Sequence, residues 1–255
     1  MLDIQNSRVL ETLGLVRSRR PWGTVALLAA MSAPHTAALR SYSGPPGMIS
    51  HRHRCIFVHI PKCAGTTVES LIWPGERSEA DLWMGFVDEY HNAYQTGGLQ
   101  HLFARQIREV VGSVVFDDYL KFAVVRNPWD KAVSQFSYMA TRPDLRRFLG
   151  LRETDSFATY LRRLPVREHV QWARQMDFLT DDRGQLIVDR VLRVERLAEE
   201  LPALLAEIGV RPDGALPHLN ASGRTSDYQS YYSQYERELV AHHYRCDVER
   251  LGYGF

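Results

Sequence analysis

The chain is poor in cysteine, has no long apolar run, and carries almost no excess of charge of either sign. Its three cysteines, Cys55, Cys63 and Cys246, are odd in number and lack the spacing of a metal site. That argues against a disulfide framework and for a reducing compartment, so the cytoplasm is the expected location, with a peripheral membrane association compatible. With 31 basic and 30 acidic side chains the net charge is +1. Such a balance argues against a general nucleic-acid binder or a polybasic membrane protein and leaves only local basic pockets. No stretch reaches the roughly 18 apolar residues that a membrane-spanning helix requires, so no stable membrane span is expected. The nearest, TVALLAAM at 24–31, follows Arg17, Arg19 and Arg20. It has the loose layout of a secretory leader, but it is short and starts late; an irregular extension or a short docked helix is the plainer reading.

What is present suffices for one sizeable core: 45% of the 255 residues are hydrophobic. Residues 32–52 are rich in Ser, Pro, Gly, His and Arg, which reads as linker, and Met31 and Met48 are alternative starts. We therefore expect an N-terminal extension and linker over 1–52 and a folded domain over 53–255. Residues 55–60 predict a buried strand, and TTVESLIW after it predicts a helix over 66–73, stopped by Pro74 and Gly75. HLFARQIREVVG predicts an amphipathic helix over 101–112. KFAVV predicts a second strand over 121–125, leading through Arg126, Asn127 and Pro128 into a helix whose first position suits proline. Beyond residue 150 the pattern is mainly helical: SFATYLRRL, VREHVQWARQMDFL, a strand in IVDRVLRVE, a helix in RLAEELPALLAEIG, and one long closing helix from Tyr231 to Tyr253. The fold class expected is α/β, a P-loop-like parallel sheet flanked by helices, with a mainly helical C-terminal half.

Two loops at strand ends carry the chemistry. In IFVHIPKCAGTTVES, residues 56–70, a strand turns through Pro61-Lys62-Cys63-Ala64-Gly65 into a helix that opens with Thr66 and Thr67. Such a turn aims backbone N–H groups and the positive end of a helix dipole at one spot. Gly65 lets the backbone approach an oxygen, Lys62 brings an ammonium, and the threonines bring hydroxyl donors. The triphosphate-binding pattern Gly-x-x-x-x-Gly-Lys-[Ser/Thr] is missing, because lysine precedes the glycine and the first glycine is absent; a Mg²⁺-dependent kinase acting on ATP is the weaker alternative. In the second loop, Arg126 ends a strand and Ser134 lies eight positions on, about two helical turns away. A guanidinium and a hydroxyl so spaced suit a phosphate.

Together, FVHIPKCAGTT and KFAVVRNPWDKAVSQF resemble the sulfotransferases that use 3′-phosphoadenosine 5′-phosphosulfate, the phrasing being closest to the carbohydrate enzymes, including the 2-O-sulfotransferase branch and its bacterial relatives. The resemblance spans about 55–255. It implies a sulfotransferase domain over 53–255 that binds this donor without a metal. Pro61, Lys62, Cys63, Ala64, Gly65, Thr66 and Thr67 would cradle the 5′-phosphosulfate, and Arg126 and Ser134 would take the 3′-phosphate. Cys63 departs from the threonine often found there; a thiol beside a lysine is expected to be open to oxidation. The acceptor implied is a hydroxyl of a saccharide or glycoconjugate, with a lipid, a small alcohol or a tyrosine as other acceptors; nucleic acid is not expected.

An alcohol acceptor must lose its proton, and a histidine with a pKa of about 6.5 suits that task. His101 is the first choice. It lies between the two loops, where the resembling enzymes carry a catalytic histidine. His59 is the rival, although a strand position favours a hydrogen-bonded core histidine; Asp118 and Glu195 are outside candidates, and Glu195 could instead orient a loop. His51 and His53 read as linker. Arg224, in PHLNASGRTSDYQSYYS, is expected to close over the nucleotide, and Tyr228 to stack on the base or simply pack. Acceptor residues are sought in 76–100 and 142–185, with Trp83, Tyr90, Tyr94, Trp172, Arg142, Arg146, Arg147 and Arg174 as candidates beside their plainer reading as packed rings and solvated charges.

Overall fold

The computed structural model describes residues 49–73, 101–211 and 227–255. Within them a four-stranded sheet has the order β1 (Ile49–Ser50), β2 (Cys55–Val58), β3 (Leu120–Val125), β4 (Arg190–Arg193). β1 pairs antiparallel with β2, while β2, β3 and β4 run parallel. The α/β class is therefore as expected. The sheet begins at Ile49, inside the segment expected to be linker. His51 and His53 are likewise tied down: their Nδ1 atoms lie 2.7 Å from the Tyr119 hydroxyl and 3.0 Å from the Ile208 carbonyl oxygen.

The central strands are mostly apolar because helices cover both faces of a parallel sheet; the exception is Lys121 in β3, whose ammonium lies 2.9 Å from Asp189 Oδ2. Every residue of β2 is buried, and Phe57 sits in register with Phe122, their rings stacked at 5.1 Å. β4 is an edge, and it carries arginines that are paired rather than bare: Arg190 bonds Glu207 and Arg193 lies over the Tyr253 ring at 4.5 Å. Since β2, β3 and β4 point the same way, the loops after Val58, Val125 and Arg193 gather at one end of the sheet. That end holds the candidate site.

Helix α1 (Gly65–Ile72) follows β2, and α2 (Ala104–Val111) and α3 (Ser113–Asp118) precede β3. His101 does not begin α2 but stands three residues ahead of it, where Phe103 N–H is received by Gln106 Oε1 at 2.9 Å. α4 (Pro128–Met139) starts with proline at its first position and with the Asn127 side chain accepting Trp129 N–H at 3.0 Å. α5 (Pro143–Leu149) was not anticipated. α6 (Phe157–Arg163) opens on Ser156, whose hydroxyl receives Thr159 N–H. The run 166–179, expected as one helix, is broken: a short 3₁₀ turn at Val170–Trp172 gives way to extended Ala173 and Arg174 before α7 (Gln175–Leu179). After α8 (Leu197–Glu207), the single closing helix is in fact two, α9 (Gln234–His243) and α10 (Arg245–Leu251), parted at Tyr244 (φ −104°, ψ 26°).

The second half of the core packs α4 against α6 and α9 through Trp129, Val133, Tyr160, Leu161, Val240 and Tyr244. Trp172 belongs to this core, 2% exposed, with its indole N–H on the Arg167 carbonyl at 2.8 Å. It is therefore not a free acceptor-stacking ring. Arg142, Arg146 and Arg174 pair with Asp144, Glu153 and Asp177. The expected aromatic region at 76–99, with Trp83, Tyr90 and Tyr94, and the loop carrying Arg224 lie outside the described residues.

Candidate active site

After β2 the backbone stays extended through His59 and Ile60, then turns; Cys63 N–H closes the turn on the Ile60 carbonyl at 3.3 Å. Two non-glycine residues in this loop adopt the left-handed region, Lys62 at φ 67° and Ala64 at φ 59°. Each costs on the order of 1–2 kcal/mol, and strain of this kind concentrates at functional loops. Ala64 caps α1, its carbonyl receiving the N–H groups of Thr67 and Val68. The loop therefore delivers Lys62 and the exposed Thr66 to the first turn of a helix, with Thr67 buried behind them.

Gly65 has a reason beyond anion access. A Cβ there would fall 1.8 Å from His59 Nε2. The His59 ring is wedged beneath α1, stacked on Phe57 at 5.3 Å and with Nδ1 2.8 Å from Glu69 Oε1. It is buried by its own packing, in keeping with a core histidine.

His101 meets the same loop from the other side. Its ring lies edge-on to that of His59, centroids 4.6 Å apart, and its Nδ1 is 3.0 Å from the His59 carbonyl oxygen. A carbonyl can only accept, so Nδ1 carries the hydrogen and Nε2 keeps the lone pair. Burial, reinforced by the neighbouring His59, holds the pKa of His101 well below 6.5. The imidazole is thus neutral at physiological pH, with its hydrogen on Nδ1.

The second loop touches the first. Arg126 donates from Nη1 to the Lys62 carbonyl oxygen at 3.1 Å and from Nε to Asp130 Oδ2 at 2.6 Å. Asp130, Ser134 and Tyr138 follow at intervals of four along α4 and so share a face. Asp130 holds Arg126, and the Lys62 ammonium lies 4.0 Å above the Tyr138 ring. Ser134, between them, is buried. The sequence-predicted residues Lys62, Gly65, Thr66, Thr67, Arg126 and Ser134 are thus presented by one loop pair and one helix face.

Other candidates take structural parts. Glu195 receives Asn127 N–H at 2.6 Å and so orients the second loop. Tyr228 packs edge-on against Phe255 and its hydroxyl receives Asn127 Nδ2–H at 3.3 Å. Asp118 precedes β3, at the opposite end of the sheet from the loops, and pairs with Arg54 on the surface. Cys63 contradicts the expectation of a reactive thiol: it is 1% exposed, and burial pushes its pKa up to about 12 despite nearby Lys131 and Arg126.

Three buried residues had gone unnoticed. Gln175 bonds the main chain of Arg126, Asp247 bonds the start of α7, and Lys131 reaches the Ala173 carbonyl at 3.4 Å. Asp130 had a faint signal, the four-residue interval from Arg126. Gln175 and Asp247 had none, lying 49 and 72 residues from the backbone groups they serve.

The profile described as the sulfotransferase family matches residues 46–254. An uncharacterised protein of Archaeoglobus fulgidus is 31% identical over 107 residues, covering 42% of this chain and 82% of the relative. No solved structure matches the chain.

Proposed function

The chain belongs to the sulfotransferase family and is a sulfotransferase, and we propose that it moves the sulfuryl group of 3′-phosphoadenosine 5′-phosphosulfate to a hydroxyl of a carbohydrate or glycoconjugate. One observation carries the donor assignment. Arg126 spends Nε on Asp130 and Nη1 on the Lys62 carbonyl, which leaves Nη2 without a hydrogen-bond partner among the described residues. A guanidinium half-committed to its own scaffold, held by Asp130 one turn before the buried Ser134 on the same helix face, fits a 3′-phosphate, while Lys62 and the Thr66–Thr67 helix start fit a second phosphate.

In this reading Lys62 offsets the negative charge that grows on the 5′-phosphate as it leaves, and His101 Nε2 removes the proton of the attacking hydroxyl. Pro61, Cys63, Ala64 and Gly65 supply the backbone of the cradle, and Arg224, outside the described residues, is assigned to the nucleotide by its sequence context alone. Sulfuryl transfer, like phosphoryl transfer, asks mainly for alignment and charge stabilisation, which these groups supply without a metal. The carbohydrate acceptor rests on the phrasing of the two motifs, and a cytoplasmic setting rests on three free thiols. No helix among the described residues is long and apolar enough to cross a membrane.

The test is calorimetric titration of the purified chain with 3′,5′-bisphosphoadenosine, beside ADP and ATP with and without Mg²⁺. Metal-free micromolar binding of the bisphosphate with much weaker ADP is expected. Best binding of ATP with Mg²⁺ would move the reading to a kinase.

A further inference from the structure

Where β3 ends, the sheet stops supplying partners. The last pairs are Val58 with Ala123 on one side and Val125 with Arg193 on the other, so Arg126 lies beyond both ladders. A residue in that position normally has a loosely held backbone. Here its main chain is held by a side chain. Gln175 Oε1 receives Arg126 N–H at 2.8 Å, and Gln175 Nε2 donates to the Arg126 carbonyl at 2.8 Å. The amide thus replaces the missing neighbouring strand. Its orientation is fixed, because the flipped amide would set donor against donor and acceptor against acceptor. The same Oε1 lies 3.5 Å from Cys63 Sγ, so one buried amide touches both loops of the site.

Gln175 is itself held. It is wholly buried at the start of α7, and Asp247 of α10 accepts Gln175 N–H on Oδ2 at 2.8 Å and Met176 N–H on Oδ1 at 2.9 Å. A continuous chain of hydrogen bonds therefore runs from the C-terminal helix through Gln175 and Arg126 to the carbonyl of Lys62.

We propose that Gln175 is a positioning residue for the sulfuryl donor: it sets the Arg126 backbone so that the guanidinium meets the 3′-phosphate, and Asp247 keeps Gln175 in place. The inference rests on the donor-site reading above. Gln175 touches no reacting atom, and its two hydrogen bonds to the Arg126 main chain carry its effect on the 3′-phosphate.

The experiment measures the affinities of 3′,5′-bisphosphoadenosine and adenosine 5′-monophosphate for the full chain and its variants by calorimetry. For the wild type the bisphosphate is expected to bind far more tightly than the monophosphate; no preference would overturn the donor-site reading and this inference with it. Gln175→Met keeps the volume and removes both bonds. It is expected to weaken bisphosphate binding about tenfold or more, and monophosphate binding less than threefold. In an Arg126→Ala background, Gln175→Met is expected to cost nothing further. Should Gln175→Met fail to fold, Asp247→Asn, which keeps one of two acceptor oxygens, is read instead and is expected to narrow the same preference by a smaller factor. A folded variant with wild-type preference, or with equal losses for both ligands, would leave Gln175 a packing residue and overturn the proposal.

Discussion

The imidazole of His59 fills the space that a Cβ on Gly65 would need, its Nε2 lying 1.8 Å from that position. The ring has nowhere cheap to go, being stacked on Phe57 and set against Glu69. Gly65→Ala is therefore expected to lose about 3 kcal/mol of stability, the upper end for overpacking a tight site. Urea unfolding measures it. Combining Gly65→Ala with His59→Ala empties the contested space, and at least half of the loss is expected to return. Strict additivity of the two losses would show that the ring and the glycine do not meet in solution.

Ala64 sits in the left-handed region at φ 59° without being glycine. Replacing it with glycine removes a penalty of about 1–2 kcal/mol and adds about 0.5–1 kcal/mol of lost backbone entropy. The net expectation for Ala64→Gly is a gain of about 0.5–1 kcal/mol, read as a higher urea midpoint at unchanged slope. Lys62 has the same backbone conformation, at φ 67°. Lys62→Gly should likewise stabilise the fold while abolishing turnover, so the strain and the ammonium separate in a single variant.

His101 is expected to matter for turnover and not for nucleotide binding. His101→Gln should lower kcat by about 10²–10⁴-fold, the usual worth of a general base, with affinity for 3′,5′-bisphosphoadenosine within threefold of wild type. Its pKa lies well below 6.5, so wild-type kcat should stay level as pH falls from 8 to about 6.5, instead of bending there. An equal loss of nucleotide binding would place His101 in the donor pocket and leave the base to another group.

Much of this site was legible because its residues are close in sequence. Lys62 to Thr67 form one turn, and Arg126 to Ser134 form one helix start whose proline and asparagine announce it. The parallel sheet followed from the apolar runs of β2 and of β3 after Lys121. The break at Tyr244 escaped notice since no glycine or proline marks it before Gly252. Trp172 looked like an acceptor ring because sequence does not reveal burial. Gln175 and Asp247 were hidden for a different reason: they satisfy backbone groups far along the chain, and a polar residue within an apolar stretch looks the same whether it faces solvent or closes a ladder.

His169 gives the clearest dependence on pH. It is 3% exposed, stacked on Trp172 at 4.5 Å, and its Nδ1 accepts Gln171 N–H at 3.1 Å, so protonating that nitrogen would break the bond. Burial, with Arg142 nearby, lowers its pKa to about 3. Above pH 6.5 it is neutral in both states and contributes no slope. As pH falls below 6.5 the unfolded chain takes a proton that the folded chain refuses, so stability is lost down to about pH 3. Between pH 6.5 and pH 5 that loss is about 2 kcal/mol at roughly 1.36 kcal/mol per unit. Asp247 works in the opposite sense: burial raises its carboxyl to about 6, so the folded state binds the proton first and gains stability as pH falls from about 6 toward 3.8. His169→Gln should thus flatten the decline in unfolding free energy between pH 7 and pH 5 by about 2 kcal/mol, and Asp247→Asn should steepen it. Parallel pH profiles for His169→Gln and wild type would mean that His169 already takes up its proton in the folded protein.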